Sequence, residues 1–450
     1  MQTKRKQCIS AIVVGFVSVV LMWGGISPAA VSAMPAFDVN EMSDMSDFNP
    51  NDLVVPTGDT IKIGLLEAFS GPGAVAGVGY TLVSGWVAHD INKRGGILVD
   101  GKKKKIQIIK GDTQSKLPIT KKVVERLCLE DKVDILVGVT GSHLCLVVQN
   151  TAKKYKVPFM NYAGYSDELM NGKNFNRYTF RVRQNTSMFG ALGYYYAQRP
   201  EKKFYFLCQD YAFGHAWADA VKKGLKKYKP DAEIVGEEYH PLFLKDFAPY
   251  LTKIQGTGAE VIISGDWSVD IANLIKQERE LGINLPVAGY ETDFPVILGA
   301  VKGKAGAGLV VVADHCLAVD TPENKAFVKV WSDLWPKWGG AYTNRLWQYP
   351  MGAIGAVTVM NYWLMDVIER AGTLDAEKII ATWEGDEYRS INGVVKMRAC
   401  DHQVVRDMVV SELVYPNKWY EGDAGYGKVF TVPAQYCMPP IPEDLERCQK

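Results

Sequence analysis

Charge of one sign is missing from this chain. Lys and Arg number 51 against 50 Asp and Glu, a formal net charge of +1 over 450 residues. So even a balance offers no long-range field to a polyanion, and nucleic acid is not an expected partner. Histidine is scarce, six in all, and none sits in an H-E-x-x-H or other metal-ligand spacing. The eight cysteines include no C-x-x-C pair, which argues against a zinc ribbon or a dithiol redox motif. G-x-S-x-G and G-x-x-x-x-G-K-[ST] are both absent, so neither a hydrolase nucleophile elbow nor a nucleotide-phosphate loop is written here. Long apolar runs are absent too, except one at the extreme N-terminus, and the mature protein is not expected to span a membrane.

That one run has the parts of a secretory signal. Lys4, Arg5 and Lys6 precede an apolar stretch over 9–26, and Val31-Ser32-Ala33 closes it with small residues. Residues 1–33 are therefore expected to be a signal peptide cleaved near Ala33, delivering the product to an oxidising compartment, most simply a bacterial periplasm. Cys8 lies before the run and so cannot be a lipoprotein cysteine. Seven cysteines remain after it, an odd number that leaves at least one thiol unpaired. A bridge from Cys400 to Cys437 or Cys448 is the favoured pairing, because a long Pro-rich tail needs tying down.

What the chain does have is 47% hydrophobic residues, 42 Gly and enough length for two or three domains. Residues 34–57 alternate acidic, small and polar side chains without a helical period and read as a flexible N-terminal segment. From residue 61 short apolar runs alternate with amphipathic stretches: strands near 61–66, 106–109, 133–139 and 157–161, with helices near 118–130 and 143–154. Lys102–Lys105 reads as a solvated hairpin tip between strands. A second series runs from 204, with strands at 204–208, 233–237, 259–264, 285–289 and 309–313. Strand and helix alternating at this period predict parallel sheets covered by helices, hence an α/β fold. In such sheets ligands bind at the carboxyl ends of the strands. The Gly-rich turn Ser70–Gly77 lies at such an end but lacks G-x-G-x-x-G spacing, so no dinucleotide is expected. Gly138–Ser142 lies at another, where a Ser opening a helix either caps it or, beside free N–H groups, binds a carboxylate.

These pieces, together with Ile63-Gly64, Asp90-Ile91-Asn92, Gly95-Gly96-Ile97, the segment 159–169, Asp210–Gly214 and Gly289-Tyr290-Glu291, resemble the leucine/isoleucine/valine-binding family of type I periplasmic solute-binding proteins of ABC transporters. The resemblance implies two Rossmann-like lobes with parallel sheets flanked by helices, joined by three crossovers. It places 58–183 and 313–390 in lobe 1, and 184–312 and 391–450, with the C-terminal tail, in lobe 2. It implies that Ser142, Ala163 and Tyr165 grip a ligand carboxylate, with Gly164 between them also in the binding set, and that Glu291 of lobe 2 holds an ammonium. Three positions depart from the family: Ala76 replaces an aromatic, Phe213 a Tyr, and Tyr165 a small residue, while Trp267 adds a large face. The expected ligand is an amino acid, an amide or urea, an aromatic acid or an alkylammonium. The expected protein partner is an ABC permease in the inner membrane; no catalysis, metal or cofactor is expected. A ligand-sensing receptor for a membrane signalling partner, and less so a hydrolase on a similar framework, are the competing classes.

Overall fold

A computed structural model describes residues 34–53, 55–71, 73–290, 292–293 and 295–449, so the expected signal peptide and Glu291 both lie outside the described residues. The first half of the chain runs β1 (Thr60–Glu67), α1 (Ala74–Lys93), β2 (Ile97–Val99), β3 (Lys102–Asp112), α2 (Leu117–Leu129) and β4 (Ile135–Gly138). It continues through α3 (Ser142–Tyr155), β5 (Phe159–Asn161), β6 (Thr179–Arg181) and α4 (Ala191–Tyr196). Strands β1 to β6 form one sheet in the order β2-β3-β1-β4-β5-β6, parallel except for the β2–β3 hairpin. Ile135–Gly138 is buried along its whole length, as expected of a strand covered on both faces.

The second series is β7 (Lys203–Gln209), α5 (Ala212–Tyr228), β8 (Glu233–His240), α6 (Ala248–Gln255), β9 (Val261–Ser264), α7 (Val269–Glu280), β10 (Val287–Tyr290), α8 (Pro295–Ala300) and β11 (Leu309–Ala313). Then come α9 (Pro322–Leu334), α10 (Gly352–Ala371), α11 (Ala376–Trp383), β12 (Glu387–Ser390), β13 (Gly393–Met397) and β14 (Val404–Val405). The chain ends with β15 (Met408–Val414), β16 (Gly425–Val432) and α12 (Ala434–Cys437). A second sheet is ordered β16-β15-β11-β10-β9-β7-β8, its run from β11 to β8 parallel and β15 and β16 antiparallel. A small antiparallel sheet, β12-β13-β14, lies beside β6, where Phe180 stacks between Trp383 (4.5 Å) and His402 (4.0 Å).

Three passes of the chain link the sheets, and they meet at one buried carboxylate. Asp314, just after β11, takes Arg183 from the pass after β6 (Nη2–Oδ1 2.8 Å) and Arg406 from the pass after β14 (Nη1–Oδ2 2.9 Å). Gln403, just before β14, donates to the carbonyl of Arg183 (2.9 Å). Burial pushes the Asp314 carboxyl up, but the two guanidiniums outweigh it and hold it below the ordinary carboxylate value.

Two expectations about the framework change. Residues 34–53 are not a free tether: Phe37, Met45 and Phe48 are buried, Phe37 against Phe327 and Tyr362, Phe48 against Trp86 and Trp338. The intervening acids stay polar because they are used; Asp47 accepts from Lys93 (2.8 Å) and pairs with His89. Lys102–Lys105 is not a hairpin tip but the start of β3, paired with β2, and the turn is Asp100-Gly101 with both φ positive (51° and 74°). Cys400 and Cys448 form a disulfide that anchors the tail, and Cys128, Cys145, Cys208, Cys316 and Cys437 are free.

Candidate functional site

The carboxyl ends of both parallel sheets open onto one cleft. From the first sheet it is lined by Ala76 and Tyr80 of α1, Thr140, Gly141 and Ser142 at the start of α3, and Ala163 and Tyr165 beyond β5. From the second come Tyr211 and Phe213 at the start of α5, Trp267 and Ser268 before α7, Tyr290 ending β10, and Ile297 of α8. Every lining residue among those described is uncharged.

Aromatic rings dominate. Phe213 stands 4.9 Å from Tyr290 and 6.2 Å from Tyr165, and Tyr290 is edge-on to Tyr165 at 5.9 Å. Trp267 Nε1 donates to the Tyr211 hydroxyl (2.8 Å), fixing both rings. Arg183 donates to the Tyr165 hydroxyl (2.5 Å), which ties the cleft wall to the Asp314 junction.

The polar end of the cleft is the opening turn of α3. Gly141 precedes it with φ 105°, a conformation in which a side chain would be strained. Ser142 is the first helical residue, not the cap. Its Oγ accepts from the Ser166 backbone N–H (3.0 Å), which leaves the hydroxyl proton available to an acceptor in the cleft. The first N–H groups of a helix have no intrahelical partner, so this end favours an anionic group. Beneath it, Glu67 ends β1 fully buried and accepts from Thr140 N–H (3.2 and 3.3 Å). Burial pushes its carboxyl up to about 7, against the opposing pull of Thr140 and Tyr162. On the other side, buried Asp266 pairs with His240 (2.9 Å), and Asp270 accepts from Gln209 Nε2 (2.6 Å) and Phe243 N–H (2.7 Å). These bonds brace the loop that carries Trp267 and Ser268.

Of the residues singled out from sequence, Ser142, Ala163, Tyr165, Phe213 and Trp267 line this one cleft. Gly164 does not. It lies against α3, where a Cβ would meet Cys145 Sγ at 2.6 Å, so its smallness serves helix–strand packing. Tyr80, Tyr211, Tyr290 and Ser268 were missed. Tyr80 was findable: it follows Ala76 by four residues on the same helix face, so it restores one turn later the ring that position 76 lacks.

A family model described as periplasmic binding protein matches residues 60–418. The chain belongs to the periplasmic binding protein family. Within it the chain is a type I protein of the leucine/isoleucine/valine-binding group. It is 24% identical over 376 residues to Leu/Ile/Val-binding protein homolog 4 of Brucella abortus, covering 79% of this chain and 85% of that one. In structure it is similar to the leucine-, isoleucine-, valine-, threonine- and alanine-binding protein of Brucella ovis in its closed conformation, with TM-score 0.74, 22% identity, and 86% and 98% of the two chains covered. It is also similar to an ABC-transporter solute-binding protein of Rhodopseudomonas palustris solved with 3,4-dihydroxybenzoic acid, with TM-score 0.69, 22% identity, and 84% and 98% covered.

Proposed function

We propose that this periplasmic binding protein captures a small aromatic carboxylate between two lobes and delivers it to an ABC permease in the inner membrane. The observation that carries the reading is the belt of six aromatic residues, Tyr80, Tyr165, Tyr211, Phe213, Trp267 and Tyr290, around a cleft whose polar end is the start of α3. Flat rings offer offset-stacked and edge contacts to an aryl ligand, each contributing ~0.5–1.5 kcal/mol beyond area burial. The Ser142 hydroxyl and the helix start supply the donors a carboxylate needs. The dihydroxybenzoate-bound relative supports the same choice.

In this reading residues 58–183 with 315–405 form lobe 1 and 184–313 with 408–437 form lobe 2. The sequence-based cut at 390 moves to the pass after β14, because β13 and β14 pair with β12 beside β6 and the chain rejoins the second sheet only at Met408. The three passes joined at Asp314 form the hinge, and ligand contacts from both sides shift the population toward closure. Residues 1–33 are the signal peptide; N-terminal sequencing of the exported protein should start at or near Met34. The protein binds and releases its ligand unchanged.

A second reading, an alkylammonium ligand, is supported by the same ring faces, which attract cations. Calorimetry with benzoate, leucine, urea and glycine betaine separates the classes. Benzoate binding tightest supports the proposal; betaine or leucine binding with benzoate inert overturns it.

A further inference from the structure

Ser268 stands where a helix cap belongs and does not cap. It directly precedes α7, yet its side chain accepts no hydrogen bond from that helix. Its backbone has φ 58° and ψ −131°, a region that glycine adopts freely and a side chain adopts only under strain. The residue is 8% exposed, and its Oγ is buried without a hydrogen-bond partner, although it borders the cleft. A serine held for structure alone would turn its hydroxyl onto the free N–H groups of α7, and a glycine would relieve the backbone. Here both gains are forgone, and the outcome is a hydroxyl left buried and unpartnered in a residue that borders the cleft from the side of the second sheet. Buried polar atoms in folded proteins are ordinarily hydrogen-bonded, so an unpartnered hydroxyl in a residue at the cleft wall is one that a ligand group can satisfy.

Resting on the aromatic-carboxylate reading, we infer that Ser268 selects the ligand by its far end, bonding a polar substituent on the ring remote from the carboxylate. The carboxylate sits at Ser142, on the first sheet's side, and the ring lies among the aromatic side chains. The far end then meets Trp267 and Ser268. A ligand with a bare or methylated far end leaves the Ser268 hydroxyl buried and unsatisfied, whereas a hydroxyl, amino or carbonyl group there satisfies it. The binding protein thereby binds ring-substituted aromatic acids more tightly than benzoate.

The test is calorimetry of the full-length mature protein with 4-hydroxybenzoate, 4-methylbenzoate and benzoate, the first two alike in shape and different in polarity. The wild type should bind 4-hydroxybenzoate roughly tenfold more tightly than 4-methylbenzoate. Ser268→Ala and Ser268→Gly should reduce that ratio to about two or less. A wild-type ratio near one overturns the inference without needing any variant, and leaves the aromatic-acid reading standing. The inference also fails, with that reading intact, if the ratio survives in Ser268→Ala and Ser268→Gly. Failure of the wild type to bind any of the three acids overturns both the reading and the inference built on it.

Discussion

Glu67 makes the stability of this protein depend on pH in a direction opposite to that of most carboxylates. Its side chain is fully buried at the end of β1, and its carboxyl is moved from 4.5 to about 7 by burial. A raised carboxyl means that the folded chain holds this proton where the unfolded chain has already released it. Between pH 4.5 and 7 the unfolded state therefore binds fewer protons, and stability falls as pH rises. The contribution is fully present below 4.5 and is lost once pH passes about 7. Each pK unit corresponds to ~1.36 kcal/mol, so the whole excursion is about 3 kcal/mol.

Glu67→Gln keeps the shape and keeps an oxygen for Thr140 N–H but cannot ionise. Urea titrations of both proteins at pH 5, 6, 7 and 8 isolate the effect. Other shifted groups, such as Asp270 raised to about 6 and His315 lowered to about 4 by burial, are common to both and cancel in the difference. The variant should match the wild type near pH 5 and exceed it by up to about 3 kcal/mol at pH 8. Because Thr140 leads into the polar end of the cleft, wild-type affinity for benzoate should also weaken as pH passes about 7. The variant's affinity should stay level. Parallel stability curves across the range, or a variant weaker at pH 8, would refute the argument, since either means that Glu67 is ionised in the fold at little cost.

Ser142→Ala removes the donor offered to a carboxylate, and calorimetry with an aromatic acid should show ~1.5–3 kcal/mol lost, tenfold or more in affinity; unchanged affinity places Ser142 outside the contact set. Asp314→Asn takes the shared carboxylate from between Arg183 and Arg406 and should lower unfolding free energy by about 3–5 kcal/mol in denaturant titration. A loss below ~1 kcal/mol means that the junction is not a buried ion cluster. Phe48→Ala, at a residue that a free tether would leave in water, should cost about 3–5 kcal/mol by the same measurement.

The parts of the molecule that composition and period disclose are those where the rule is repeated. A strand covered on both faces must be apolar throughout, so the runs at Ile135–Gly138 and Leu309–Ala313 mark parallel strands, and the strands mark where a ligand edge lies. That edge is why Ser142, Ala163, Tyr165, Phe213 and Trp267 share one cleft despite standing far apart in sequence. What stayed hidden depends on single events. Residues 35–53 are held by Phe37, Met45 and Phe48, three anchors at unequal spacing, and an irregular segment packs without leaving a period to read. Glu67 closes an apolar strand, where an acid ordinarily signals the return to solvent; only its fully buried place beneath Thr140 reverses that meaning. Ser268 carries its information in a backbone angle and in a bond that it does not make, and neither is written in a residue type. Repeated environments thus write the framework into the sequence, whereas the residues that tune the site act once each, through burial and backbone geometry that only the folded chain supplies.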